Sequence, residues 1–273
     1  MTNPHYRNVK IEILGFDIRN IDIYMNFPFI ETFTTQMKEI GMINVNIQNC
    51  HSLGAQLRIV FSRLIHMENF MISDISNTIG HPINIFMAFK TKLINTKLQN
   101  YSAAPNTILP PIWLNIPPTG FVKIDSLQCD NCIINTFPLL LLIGTPSLIE
   151  ISNFHFQNTH LVSGVNLISF NYVQSLSITN QTLMNVTTDT EDTLSTFINF
   201  KVVNIELSEF VIIDSINFVN SSVSFLNLDF FEGTISESKS VNISNIKYTD
   251  SYFPSSRSLI STEGLQYTGN LEF

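Results

Sequence analysis

A few residues in this chain are of types and spacings that could do chemistry. Cys129 and Cys132 form one CxxC pair, half of a zinc-ligand set. No second pair and no histidine at finger spacing accompanies it, so the two read as small buried or corner residues. Asp189, Glu191 and Asp192 could gather around calcium, but their spacing fits no calcium loop, and a solvated turn is the simpler reading. His66 and His155 fall on outward strand positions of different repeats with no third ligand in register. Trp113, between Pro111 and Pro117, could offer a stacking platform to a sugar ring, and more simply fills a strand. Five Asn-x-Ser/Thr acceptors occur, at Asn100, Asn180, Asn185, Asn220 and Asn242. The reading assigns no catalytic residue, no metal site and no cofactor.

The elements that would position these groups follow from a repeat, and the search for periodicity comes first. A ten-residue pattern recurs: apolar, any, apolar, any, any, apolar, any, apolar, any, then Asn or Asp. It starts at Ile11, Ile40, Ile65, Thr91, Val122, Ile149, Leu176, Ile205 and Val241. Of its 36 apolar slots only Thr91, Thr96 and Gln181 are polar, so the pattern is no accident of composition. The eighth copy reads Ile205, Leu207, Phe210 and Ile212, and the ninth Val241, Ile243, Ile246 and Tyr248. The closing slot is Asn20, Asn49, Asp74, Asn100, Asn131, Asn158, Asn185, Asp214 and Asp250. The slot between the apolar pairs is Asn44, Asn69, Asn95, Asn153, Asn180 and Asn245 in six copies, Gly15 and Ser126 in two, and Glu209 in one.

Two apolar residues one apart put both side chains on one face of a short strand. Two residues then separate the pairs, so the chain must turn a corner for the second pair to face the same interior. Asn and Gly tolerate the left-handed backbone such a corner needs. A third apolar run follows in each period, for example at Leu57 to Phe61, Ile83 to Phe89 and Leu139 to Ile143. The expectation is all-β: a right-handed, single-stranded parallel β-helix of nine to ten coils, 25–36 residues each, with three short strands per coil. The six Asn at the first corner should form one vertical file. No domain boundary is visible, so residues 1–273 read as one domain, a fragment of a longer array or one whose end pairs with another chain. Tyr101 to Gly120, Thr187 to Ser195, Asp229 to Ser240 and Ser251 to Ser258 read as loop inserts.

Charged residues make up only 13% of the chain, about half the usual share, and the net charge is −8 with no basic cluster in the sequence. Nucleic acid is thereby excluded as a partner. Surface glycans or another copy of the helix are the partners left open. Met1 to Asn20 lacks the apolar block of a secretory signal, and Phe137 to Ile143 is too short to span a bilayer. Asn100, Asn180 and Asn185 occupy corner slots, which leaves Asn220 and Asn242 as the glycosylation candidates.

This repeat resembles the pectin-lyase-like parallel β-helix over about residues 11 to 273. That resemblance implies a fold, and it implies an acidic-polysaccharide enzyme only where the family's motifs are present. Its hydrolases carry paired Asp beside a Gly-His-Gly, and its lyases several calcium-binding Asp with an Arg base. Neither set occurs here; His81 is followed by Pro82 instead. The Asn, Ile and Phe bias resembles large β-helical cell-surface proteins of ciliate-like protists. That resemblance implies a non-catalytic structural or adhesive segment, extracellular or at the cell surface. The alternatives are a carbohydrate-active or carbohydrate-binding β-helix, and a leucine-rich-repeat-like recognition module.

Overall fold

A computed structural model describes residues 10–23, 28, 30–52, 56–78, 81–104, 109–135, 137–144, 146–162, 165–170, 175–188, 196–202, 210–230, 240–251, 260–263 and 270–272. Among them there is no helix, and the strands wind into a parallel β-solenoid. The first face stacks Ile11 on Ile40, Ile65, Thr91, Val122, Ile149, Leu176, Val211, Val241 and Leu271 in one unbroken parallel register. The second face stacks Ile18, Ile47, Ile72, Leu98, Cys129, Phe156, Leu183, Phe218 and Tyr248. The third stacks Ile30, Leu57, Ile83, Ile112, Leu140, Ile168, Ile198, Leu226 and Ile260. The first face is thus ten strands deep, and the second and third are nine. Three strands per coil, with the corner Asn between two of them, is not leucine-rich-repeat geometry.

The alternating apolar residues fill the interior. Met42, Met67, Leu93, Ile124, Ile151 and Ile178 lie beneath the first face, and Phe70, Leu98, Phe156 and Leu183 beneath the second, all buried. The polar exceptions are buried too. Gln181 makes itself useful there: its Oε1 accepts the Phe154 N–H at 3.0 Å, and its Nε2 donates to the Thr179 carbonyl. The Thr91 and Thr96 hydroxyls find no partner among the described residues. Phe16, expected inside, is 45% exposed, because only one described coil covers it.

Both corners are left-handed throughout the described coils. The first carries φ of +50° to +61° at Gly15, Asn44, Asn69, Asn95, Ser126, Asn153, Asn180, Ser215 and Asn245. The second carries φ of +47° to +56° at Asn20, Asn49, Asp74, Asn100, Asn131, Asn158, Asn185, Asn220 and Asp250. The amides stack with one polarity, each later coil donating to the one before it. Asn69 Nδ2 donates to Asn44 Oδ1 at 2.8 Å, and Asn95 to Asn69 at 3.1 Å. On the second corner Asn131 donates to Asn100, Asn158 to Asn131, Asn185 to Asn158 and Asn220 to Asn185, at 2.9–3.1 Å.

Aspartate restarts the ladder where it breaks. A carboxylate accepts without needing a partner below it, so it suits the lowest rung of a run. Asp74 is such a rung, accepting Asn100 at 2.7 Å and Gln48 at 2.9 Å. These bonds, Asn100 first, hold its carboxyl below the usual carboxylate range. At the two Ser corners the preceding aspartate takes over. Asn153 donates to Asp125 at 2.7 Å, and Asn245 to Asp214 at 2.7 Å. Ser244, Ser215 and Asn245 together hold the Asp214 carboxyl low. Asn180 in turn donates to Asn153.

One repeat is placed differently from its sequence pattern. The eighth copy of the inward pattern begins at Val211, in the strand Phe210–Val219, not at Ile205. Val211, Ile213, Ile216 and Phe218 take the inward slots, Ser215 the first corner and Asn220 the closing corner. Ile212, read as inward, is 38% exposed, and Asp214 belongs to the first corner rather than the second. The sequence admits both frames because Ile212 and Ile213 are adjacent and each starts an acceptable alternation. What decides is the amide at Asn220, which continues the file above Asn185. Ile205, Leu207 and Glu209 lie outside the described residues.

Candidate functional site

The outer slots of the first face and the corner leading into it gather several cations among the described residues. Lys90 and Lys92 project from one strand, and Lys123 is the register neighbour of Lys92. On the other side Lys92 neighbours His66. Two preceding coils add Lys38 and Arg63 at the corner leading into this face, both exposed. Lys38, Arg63 and Lys92 make no ion pair among the described residues. Of the nearby carboxylates, Glu39 pairs with Lys10 at 3.6 Å, Glu68 meets His66 at 3.3 Å, and Glu150 pairs with Lys123 of the cluster at 3.9 Å. Asp125 accepts ladder bonds from Asn153 and Ser152.

Aromatic rings border these cations. Phe89, next to Lys90, is half exposed, and Lys90 Nζ lies 5.6 Å from the centre of the Phe121 ring. Phe61 is 36% exposed one coil below and meets Phe86 edge-on at 6.2 Å. Phe61 and Met87 both hold φ of +59°, a backbone that costs a bulky residue about 1–3 kcal/mol. This corner therefore turns as the Asn corners do, but with large apolar side chains in place of stacked amides.

The other sequence candidates are dispersed. Cys129 and Cys132 are fully buried, with their sulfurs bonded across the corner at Asn131. They are the small buried corner residues that the sequence suggested, and the bond between them adds a local staple that it did not. Cys50 occupies the slot equivalent to Cys132, and burial pushes its thiol up. His66 and His155 face outward from different faces of the helix, and His155 contacts Gln157 at 3.5 Å. Asp189, Glu191 and Asp192 lie outside the described residues. No three metal-ligating side chains gather among the described ones.

Asn220 requires correction as a glycosylation candidate: it is a ladder rung, and its amide donates to Asn185 at 2.9 Å. Asn242 instead sits on an exposed outer slot of the first face.

Trp113 stands on an outer slot of the third face, half-buried, with its ring 4.7 Å from His81. His81 is buried and contacts the Pro110 carbonyl through Nδ1 at 2.6 Å. Burial holds its pKa below the ordinary imidazole value. The folded state then binds this proton less readily than the unfolded one, so stability is full above about pH 6.5 and falls as pH drops through the lower folded-state value. Denaturant midpoints at pH 7.5 and 5.5 should differ more for the wild type than for His81→Gln.

Comparison with known proteins gives no match: no family model, no curated protein and no solved structure matches this chain.

Proposed function

We propose that the chain is a non-catalytic structural or adhesive segment of an extracellular or cell-surface β-helix. The observation that carries this reading is the use made of the corner amides. Along both corners the polar side chains are spent on one another, coil to coil, and the interior between them is filled with apolar side chains. Such a winding converts sequence length into a stiff rod whose outer slots are free to vary. Ser177, Thr179, Thr182 and Asn217 show the amide and hydroxyl character of those slots. The Cys129–Cys132 bond suits an oxidising compartment. The likenesses to pectin-lyase-like helices and to protist surface proteins support the reading through winding and composition.

The test places the chain on beads and in solution. Beads carrying it should retain intact cells or one another, and the soluble chain should leave acidic polysaccharides uncut. New reducing ends or unsaturated sugar products would replace this reading with the carbohydrate-active one. Beads that retain neither cells nor one another would remove the adhesive role.

A further inference from the structure

We propose that the corner between the third and first faces, in the coils of Phe61 and Phe89, docks on an anionic lipid surface. The chain is acidic overall, yet Lys38, Arg63, Lys90, Lys92 and Lys123 collect on four consecutive coils at this corner and the strand it feeds. Lys92 and Lys123 are like charges in register, and of the two only Lys123 has an ion pair, with Glu150 at 3.9 Å. Glu39 pairs with Lys10 and Glu150 with Lys123, and among the described residues Lys38, Arg63, Lys90 and Lys92 make no ion pair. The second observation is apolar. Phe89 and Phe61 stand exposed on an outward corner, beside the charges, where the left-handed backbone at Phe61 and Met87 sets the turn.

Cations flanking protruding rings are the arrangement that seats a protein at the headgroup boundary, the rings entering the acyl edge and the ammonium groups meeting phosphates. Five cations lie within the range that reads as recognition of an anionic leaflet. A linear acidic glycan would use the same charges, but recognition of sugars draws on a concave site with polar side chains aimed into it, and this is an outward corner. The inference goes beyond the adhesive reading and does not depend on it.

The experiment is co-sedimentation of the full chain with phosphatidylcholine vesicles, with and without phosphatidylserine. Binding is expected only with phosphatidylserine, weakening as salt rises. Lys90→Glu/Lys92→Glu should weaken it roughly 25-fold or more, about fivefold for each cation lost. Phe89→Ser should weaken it at least about tenfold, by removing the inserted ring. Lys247→Glu, on the second face, should leave it unchanged, and the thermal midpoint of each variant shows whether the fold is intact. No binding to phosphatidylserine vesicles, or binding indifferent to Phe89, overturns the proposal. So does retention on sulfated-glycan beads without retention on vesicles, which would assign the cations to a linear polyanion.

Discussion

Ile213→Asp is expected to unfold the helix around it, whereas Ile212→Asp, one residue earlier, should be tolerated. Ile213 is fully buried between Ile178 and Ile243 on the inner side of the first face. A carboxylate there has no donor within the apolar interior, so it must either stay charged at great cost or take up a proton. A loss of about 4 kcal/mol or more follows, among the largest effects a single substitution gives. Ile212 points outward, so an aspartate there meets water and should change stability by less than about 0.5 kcal/mol. Chemical denaturation of the two variants reads the difference. The reverse order would restore the frame that starts at Ile205.

The second large effect belongs to a corner. Asn153 holds φ of +57°, donates to Asp125 and accepts from Asn180. Valine at this position strains the backbone by about 1–3 kcal/mol and removes both bonds. The Asn180 amide is exposed and turns to water, so the lost ladder bonds cost about 1 kcal/mol. Asn153→Val should therefore cost about 3 kcal/mol. Asn153→Gly keeps the turn and loses only the ladder, so it should cost about 1 kcal/mol. Thermal unfolding of the pair separates backbone from side chain. Equal losses would mean that conformation contributes little and the amide bonds contribute nearly everything.

Much of this architecture was legible because the same physical demand repeats. Ile40, Met42, Val45 and Ile47 announce two inward pairs split by a corner, and Asn44 and Asn49 mark where the backbone turns left-handed. Legibility failed where two local solutions compete. Around Ile212 and Ile213 either frame satisfies the apolar pattern, and the choice is made one coil away, by the amide of Asn185. The error spread from there to Asn220, whose place in the ladder follows only from the corrected register.

The third corner was less legible still. Phe61 and Met87 carry no turn signal, and their left-handed backbone is imposed by the stack rather than by their own preference. The cation cluster could not be read from a sequence without cationic runs either. Lys38, Arg63, Lys92 and Lys123 become neighbours only when residues 25–31 apart are wound onto adjacent coils.

That winding is also where a direct measurement bears. Glu150 and Ser177 are register partners on outer slots of adjacent coils, so their Cα atoms should lie about 4.8 Å apart, within reach of a disulfide. In a Cys50→Ser background, Glu150→Cys/Ser177→Cys should cross-link on mild oxidation, while Glu150→Cys/Leu176→Cys should not, because residue 176 faces the interior. Failure of the first pair to close, or closure of both alike, would contradict the parallel coil.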